Sequence, residues 1–86
     1  MNNFIYLNDH LYNIFDITSI SLNRKALRIE IGIRNSNGIY KEAVMYEDTY
    51  EYSKTFEENL IWKEWQVLLE KFNKKEGDTN EKNDLY

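Results

Sequence analysis

Leu27-Arg28-Ile29-Glu30-Ile31-Gly32-Ile33-Arg34 sets an aliphatic side chain at every second position, and Asn35-Ser36-Asn37-Gly38 follows it directly. A period of two puts Leu27, Ile29, Ile31 and Ile33 on one face of an extended chain, the mark of a half-buried strand. Asn-Gly between two strand-like runs favours a type I′ hairpin turn, because both residues tolerate positive φ. A two-residue turn at Asn37-Gly38 sets Ile31 opposite Val44, Ile29 opposite Tyr46 and Arg28 opposite Glu47. It also sets Arg34 against Lys41, which is unfavourable. A four-residue loop is the alternative, and it keeps the same faces inward. The return strand is expected over Ile39 to Tyr46, with Asp48, Tyr50 and Tyr52 continuing the alternation.

Upstream, Phe4-Ile5-Tyr6-Leu7 reads as an opening strand closed by the turn pair Asn8-Asp9. Leu11, Ile14, Ile17 and Ile20 suit either a helical turn or an irregular strand. Their β-branched character favours a strand from Ile14 to Ile20, with Ser21 to Lys25 as a polar connector. Downstream, Thr55-Phe56-Glu57-Glu58 has the form of a capping box, and Asp48 with Glu51 offers a second cap. Ile61, Trp65, Leu68 and Phe72 then recur at helical spacing, widened by Trp62 and Leu69. Both tryptophans are read as core. Lys71, Lys74 and Lys75 suit the negative end of the helix dipole, and Gly77 is the expected stop. The order is β-β-β-β-α: an α+β fold, an antiparallel sheet of about four strands with one C-terminal helix on one face. Residues 1–76 form one domain and residues 77–86, almost free of apolar side chains, a disordered tail.

The chain has 86 residues, no cysteine and a single histidine, His10. Disulfides, thiolate metal sites and cysteine nucleophiles are excluded, and no metal or other cofactor is expected. A core this small must rest on close packing, for which nine isoleucines and thirteen aromatic residues are on hand, or on a homodimer. No apolar run approaches the ~20 residues of a membrane span. The N-terminus lacks the basic and apolar regions of a signal peptide. The cytoplasm is the expected compartment. The three glycines lie far apart, which rules out a P-loop. A nucleophile–base pair would have to use His10 near the start of the chain. Carboxylates are plentiful but sit in polar surroundings, so no acid–base pair stands out. Glu47, Asp48 and Glu51 do not match a calcium loop. The chain is therefore expected not to be an enzyme.

The net charge of −4 conceals a segregation: residues 1–41 are net +2, residues 42–70 net −6, and residues 71–86 neutral. Direct binding to a nucleic-acid backbone is disfavoured, and binding to something basic is favoured. The segment Tyr46-Glu47-Asp48-Thr49-Tyr50-Glu51-Tyr52-Ser53-Lys54-Thr55-Phe56-Glu57-Glu58 combines three tyrosines, a phenylalanine and five carboxylates. Tyrosine gives contact area with a polar tip, and carboxylates give complementarity to an Arg- or Lys-rich partner. Glu47, Asp48, Tyr50, Glu51, Tyr52, Glu57 and Glu58 are the expected partner-binding residues. The competing reading packs the tyrosines inward and leaves the acids merely solvated. On the helix, Phe56, Leu60 and Val67 lie away from the main stripe, a candidate second face for a neighbour or a second subunit.

The short, acidic, cysteine-free chain resembles the small phage-encoded inhibitors of bacterial defence, anti-CRISPR proteins in particular. The resemblance rests on size, the acidic block from Glu42 to Glu70, the run Tyr-Glu-Asp-Thr-Tyr-Glu-Tyr from Tyr46 to Tyr52, and a wealth of Asn, Ile, Lys and Tyr that points to an AT-rich genome. Those inhibitors share no common motif, so no residue role transfers. The resemblance implies binding to a basic protein or nucleoprotein complex such as a CRISPR nuclease, with carboxylates standing where phosphates would, in a bacterial or host cytoplasm. The alternative is a structural or regulatory homodimer.

Overall fold

A computed structural model describes the backbone of residues 3–47 and 55–84 and, within those spans, side chains as far as residue 75. Strand β1 (Phe4–Leu7) turns at Asn8-Asp9 and pairs with β2 (His10–Asn13), Phe4 opposite Asn13 and Leu7 opposite His10. Asn8 (φ 50°) and Asp9 (φ 67°) both adopt the left-handed region, the type I′ requirement. The turn expected at these residues is present, and it has a return strand that the sequence reading did not assign.

The Asn13 side chain then accepts a hydrogen bond from the Phe15 N–H at 3.0 Å and opens a 3-10 turn at Ile14–Asp16. This corrects the strand expected over Ile14 to Ile20. Asn13 nucleates a turn, and the strand begins only at Ile17 as β3 (Ile17–Asn23). The turn also swings the chain away from β2. Five antiparallel strands consequently form two sheets, β1-β2 and β3-β4-β5, where one sheet of four was expected. With the helix described below, the α+β class holds.

Strands β4 (Arg28–Asn35) and β5 (Gly38–Met45) form the expected hairpin in a different register. Ile29 faces Val44, Ile31 faces Glu42, Arg28 faces Met45 and Arg34 faces Ile39. The pairing is shifted by two residues, which keeps the inward faces but separates Arg34 from Lys41. The Asn35 side chain explains the shift. Its Oδ1 accepts from the Asn37 N–H at 2.8 Å, closing an Asx turn one residue early. Ser36 and Asn37 become the turn, and only Gly38, at φ 124°, takes the positive φ. The type I′ turn at Asn37-Gly38 is replaced by a turn with glycine at its fourth position.

The helix entry also differs. Thr55 makes no side-chain capping bond, and Phe56–Glu58 forms a 3-10 turn. Asn59 breaks out of it in an extended conformation, as an N-cap residue must, and α1 begins beyond it (Leu60–Asp84). The capping box is therefore unused, and Glu57 and Glu58 precede the helix. The helical backbone passes Gly77, the expected stop and start of a disordered tail. Glycine lowers helix propensity by about 1 kcal/mol but removes no backbone hydrogen bond, so it does not end a helix by itself. No helix among the described residues is long and apolar enough to cross a membrane.

Ile29, Ile31 and Ile33 of β4, Val44 of β5 and Ile17 of β3 bury one sheet face under Ile61, Leu68 and Phe72 of α1, while Ile5, Leu7 and Ile14 close the core from the first hairpin. The helical stripe is as expected. Trp65 packs against the core half-buried, and Trp62 is half-buried against Phe56. Two lysines fasten the middle of the helix. Lys71 Nζ donates to the Phe4 carbonyl at 2.7 Å, and Lys75 Nζ donates to the Ile14 and Ile17 carbonyls at 3.2 and 2.6 Å.

Gly32 has a reason to lack a side chain. The β3–β4 pairing slips between Ile17 and Ser19, and that bulge lays two hydroxyls over the Gly32 Cα. A Cβ there would meet Ser19 Oγ at 2.5 Å and Thr18 Oγ1 at 2.7 Å. Gly32→Ala is expected to lower unfolding free energy by about 1–3 kcal/mol in urea denaturation. In a Thr18→Ala/Ser19→Ala background the same change should cost much less, and an equal cost there would exclude this contact as the cause.

Candidate functional site

The expected binding segment begins where β5 ends. Tyr46 continues the β4–β5 register through its N–H, which donates to the Leu27 carbonyl at 2.9 Å. That parity turns its ring inward, and Tyr46 is 8% exposed. The hydroxyl donates to Glu64 Oε1 on α1, and the same oxygen accepts the backbone N–H of Asn8 at 2.7 Å. Asn8 also donates through Nδ2 to the Met45 carbonyl at 2.6 Å. One carboxylate thus joins the helix, the end of β5 and the tip of the first hairpin. Burial, reinforced by the bond to the Glu64 carboxylate, raises the Tyr46 phenol well above its ordinary value. Of the three tyrosines in the segment, Tyr46 belongs to the core.

Glu47 is exposed beside this joint, and Glu57 and Glu58 are exposed on the 3-10 turn. A cavity of about 210 Å³ lies between the two flanks, lined by Asn8, Leu27, Tyr46 and Glu47 on one side and Asn59, Leu60 and Ile61 on the other. Asp48, Tyr50, Glu51 and Tyr52 lie outside the described residues. The fold therefore brings Glu47 near the helix entry, but the acids differ in what they can offer. Glu57 pairs with Arg24 at 3.4 Å, and the Arg24 guanidinium sits over the Phe56 ring at 4.3 Å. Among the described residues Glu47 and Glu58 have no ion-pair partner.

Phe56, Leu60 and Val67 do not form one face. Phe56 packs edge-on to Trp62, with ring centres 5.8 Å apart, and leans on the core. Leu60 and Val67 remain exposed, at 55% and 46%.

The sequence gives no hint of a second tyrosine–carboxylate pair. The Tyr12 hydroxyl of β2 donates to Glu42 Oε2 of β5, across the gap between the two sheets. Burial is again the main reason that its pKa is raised, followed by Glu42. His10 and Tyr12 share with Glu42 a cavity of about 320 Å³ on one side of this bridge. A second cavity, of about 250 Å³, lies on the other side and includes Asp16 and Tyr40. Strand alternation could have flagged Glu42 as inward-facing, since it shares the parity of Val44. Among the described residues no group of three His, Asp or Glu side chains is arranged to hold a metal ion.

No protein-family model matches the sequence, and no curated protein or solved structure matches it either.

The two tyrosines make a pH prediction. A raised phenol pKa means that the folded chain keeps a proton that the unfolded chain releases near its ordinary value of 10. Stability is thus intact below about pH 10 and falls as pH rises further. Urea titrations from pH 8 to 11.5 should show this fall, shallower in Tyr12→Phe/Tyr46→Phe. At pH 7, Tyr46→Phe should cost about 1.5–3 kcal/mol through the lost bond to a charged acceptor.

Proposed function

We propose that this protein is a non-catalytic binding module that engages a basic surface of a partner protein through the acidic flanks of residues 48–54. The observation behind this reading is the pairing pattern of the carboxylates. Glu47 lines the cavity at the helix entry and Glu58 precedes Asn59 on its other flank; both are exposed and are left without a cation by their own chain among the described residues. Charges placed this way steer and orient an encounter more than they add affinity. The joint formed by Tyr46 and Asn8 on Glu64 ties down the backbone next to Glu47, which lowers the ordering cost of association.

The resemblance to phage-encoded inhibitors supplies the kind of target: a nuclease or nucleoprotein complex whose basic groove normally holds nucleic acid. In this reading Glu47, Asp48, Glu51 and Glu58 occupy phosphate positions, while Glu57 stays with Arg24 and contributes less. A host cytoplasm is then the working compartment.

The test is affinity capture from lysate at low and high salt, followed by titration of the purified captured protein. A basic partner, bound at least tenfold more weakly in 1 M than in 0.1 M salt, is the expected result, because screening shortens from about 10 Å to about 3 Å. Glu47→Lys/Glu58→Lys should lose that binding while keeping the wild-type circular dichroism. Undiminished affinity of this folded variant would refute the proposal.

A further inference from the structure

Strand β5 is an edge strand of the three-stranded sheet, and its outer rim faces a groove rather than open solvent on all sides. The direction of its backbone groups follows from one bond. Tyr46 N–H donates to Leu27, and the register is antiparallel, so Tyr46, Val44, Glu42 and Tyr40 spend their backbone groups on the β4 side. The N–H and C=O of Ile39, Lys41, Ala43 and Met45 point the other way. Among the described residues only the Met45 carbonyl is taken, by Asn8 Nδ2. Within the described residues Ile39, Lys41 and Ala43 leave a row of unpaired donors and acceptors, which is the template for an added strand.

Across the groove stands β2, joined to β5 by Tyr12 on Glu42. The two cavities beside this bridge, about 320 and 250 Å³, are lined among the described residues by Glu42 and Asp16 and by no Lys or Arg. Glu42 uses Oε2 for Tyr12, and its Oε1 has no partner among the described residues. We propose that this groove binds an extended, lysine- or arginine-bearing peptide segment of a partner, which pairs with the β5 edge and sets a cationic side chain on Glu42. This second surface adjoins the acidic helix entry at Asn8 but uses different groups.

A second copy of the chain fits the rim poorly in the registers centred on Lys41, Glu42 or Ala43. A two-fold axis between antiparallel strands must pass through a residue and its own equivalent, because opposed side chains share a face. Centred on Lys41 or Glu42, it opposes like charges. Centred on Ala43, it needs the Met45 carbonyl that Asn8 already holds.

The experiment titrates 15N-labelled protein with three blocked octapeptides: alternating Val-Lys, alternating Val-Glu, and Val-Lys with N-methyl groups on alternate residues. The Val-Lys peptide should shift the amides of Ile39, Lys41 and Ala43 and slow their hydrogen exchange at least tenfold. The Val-Glu and N-methyl peptides should bind at least tenfold more weakly. Ala43→Pro removes an outward N–H without touching the β4 ladder and should abolish the response. Glu42→Gln keeps an acceptor for Tyr12 and should weaken Val-Lys binding alone. Equal binding of the N-methyl peptide, shifts confined to Glu47 and Glu58, or no binding at millimolar peptide would overturn the proposal. So would a concentration-dependent dimer that protects these same amides.

Discussion

The Glu64 carboxylate holds together parts that are distant in sequence. It stands on the first turns of α1, accepts the Tyr46 hydroxyl from the end of β5, and accepts the Asn8 N–H from the tip of the first hairpin. Each partner would otherwise be a polar group at the margin of an apolar core, where an unmet donor costs about 1–3 kcal/mol. The two sheets share no strand pairing, so side chains must bridge them. Glu64 with Asn8 does this at one end, and Tyr12 with Glu42 in the middle. At the other end Lys71 and Lys75 reach carbonyls of Phe4, Ile14 and Ile17. Helix α1 thereby fixes the first hairpin over the second sheet with polar contacts at both ends and isoleucine and leucine packing between them.

The split between the sheets traces to local chemistry. Asn13 caps a 3-10 turn in place of another strand residue, and β2 and β3 lie in different sheets on either side of that turn. The bulge at Thr18 then twists β3, with Gly32 admitting the two hydroxyls. These devices separate the first hairpin from β3; β5 is an edge because it ends the β3-β4-β5 order among the described residues.

What the sequence shows well is periodic. The alternation from Leu27 to Ile33 fixes which faces of β4 and β5 are buried, and the spacing of Ile61, Leu68 and Phe72 fixes the buried stripe of α1. Both survive a two-residue slip in register because the parity is unchanged. What it hides depends on a single side chain choosing between backbone partners. Asn35 selects its turn, Asn13 starts a 3-10 turn, and Asn59, not Thr55, precedes the helix. Each choice is worth about 1 kcal/mol, too little for composition to reveal. The bridges Tyr12–Glu42 and Tyr46–Glu64 are hidden for another reason. They span 30 and 18 positions, and nothing local marks the partners as a pair.

The same bridges alter the meaning of the acidic block. Residues 42–70 are net −6, but several of those charges are spent inside the molecule. Glu42 accepts from Tyr12, Glu64 from Tyr46 and Asn8, Glu57 pairs with Arg24, and Glu70 pairs with Lys74 at 3.1 Å. A carboxylate held by a neutral donor keeps its charge but is fixed in direction, so it can meet a cation only on the side its remaining oxygen faces. A carboxylate paired with arginine is largely cancelled at the range over which encounters are steered. Glu47 and Glu58 are neither, and they sit where β5 and α1 converge. In the proposed reading, the carboxylates left to pair with a basic partner are therefore fewer than the sequence implies, and among the described residues Glu47 and Glu58 flank the helix entry. A narrow, rigidly seated charge pattern discriminates between basic surfaces by geometry, whereas a diffuse acidic coat would attract them all alike.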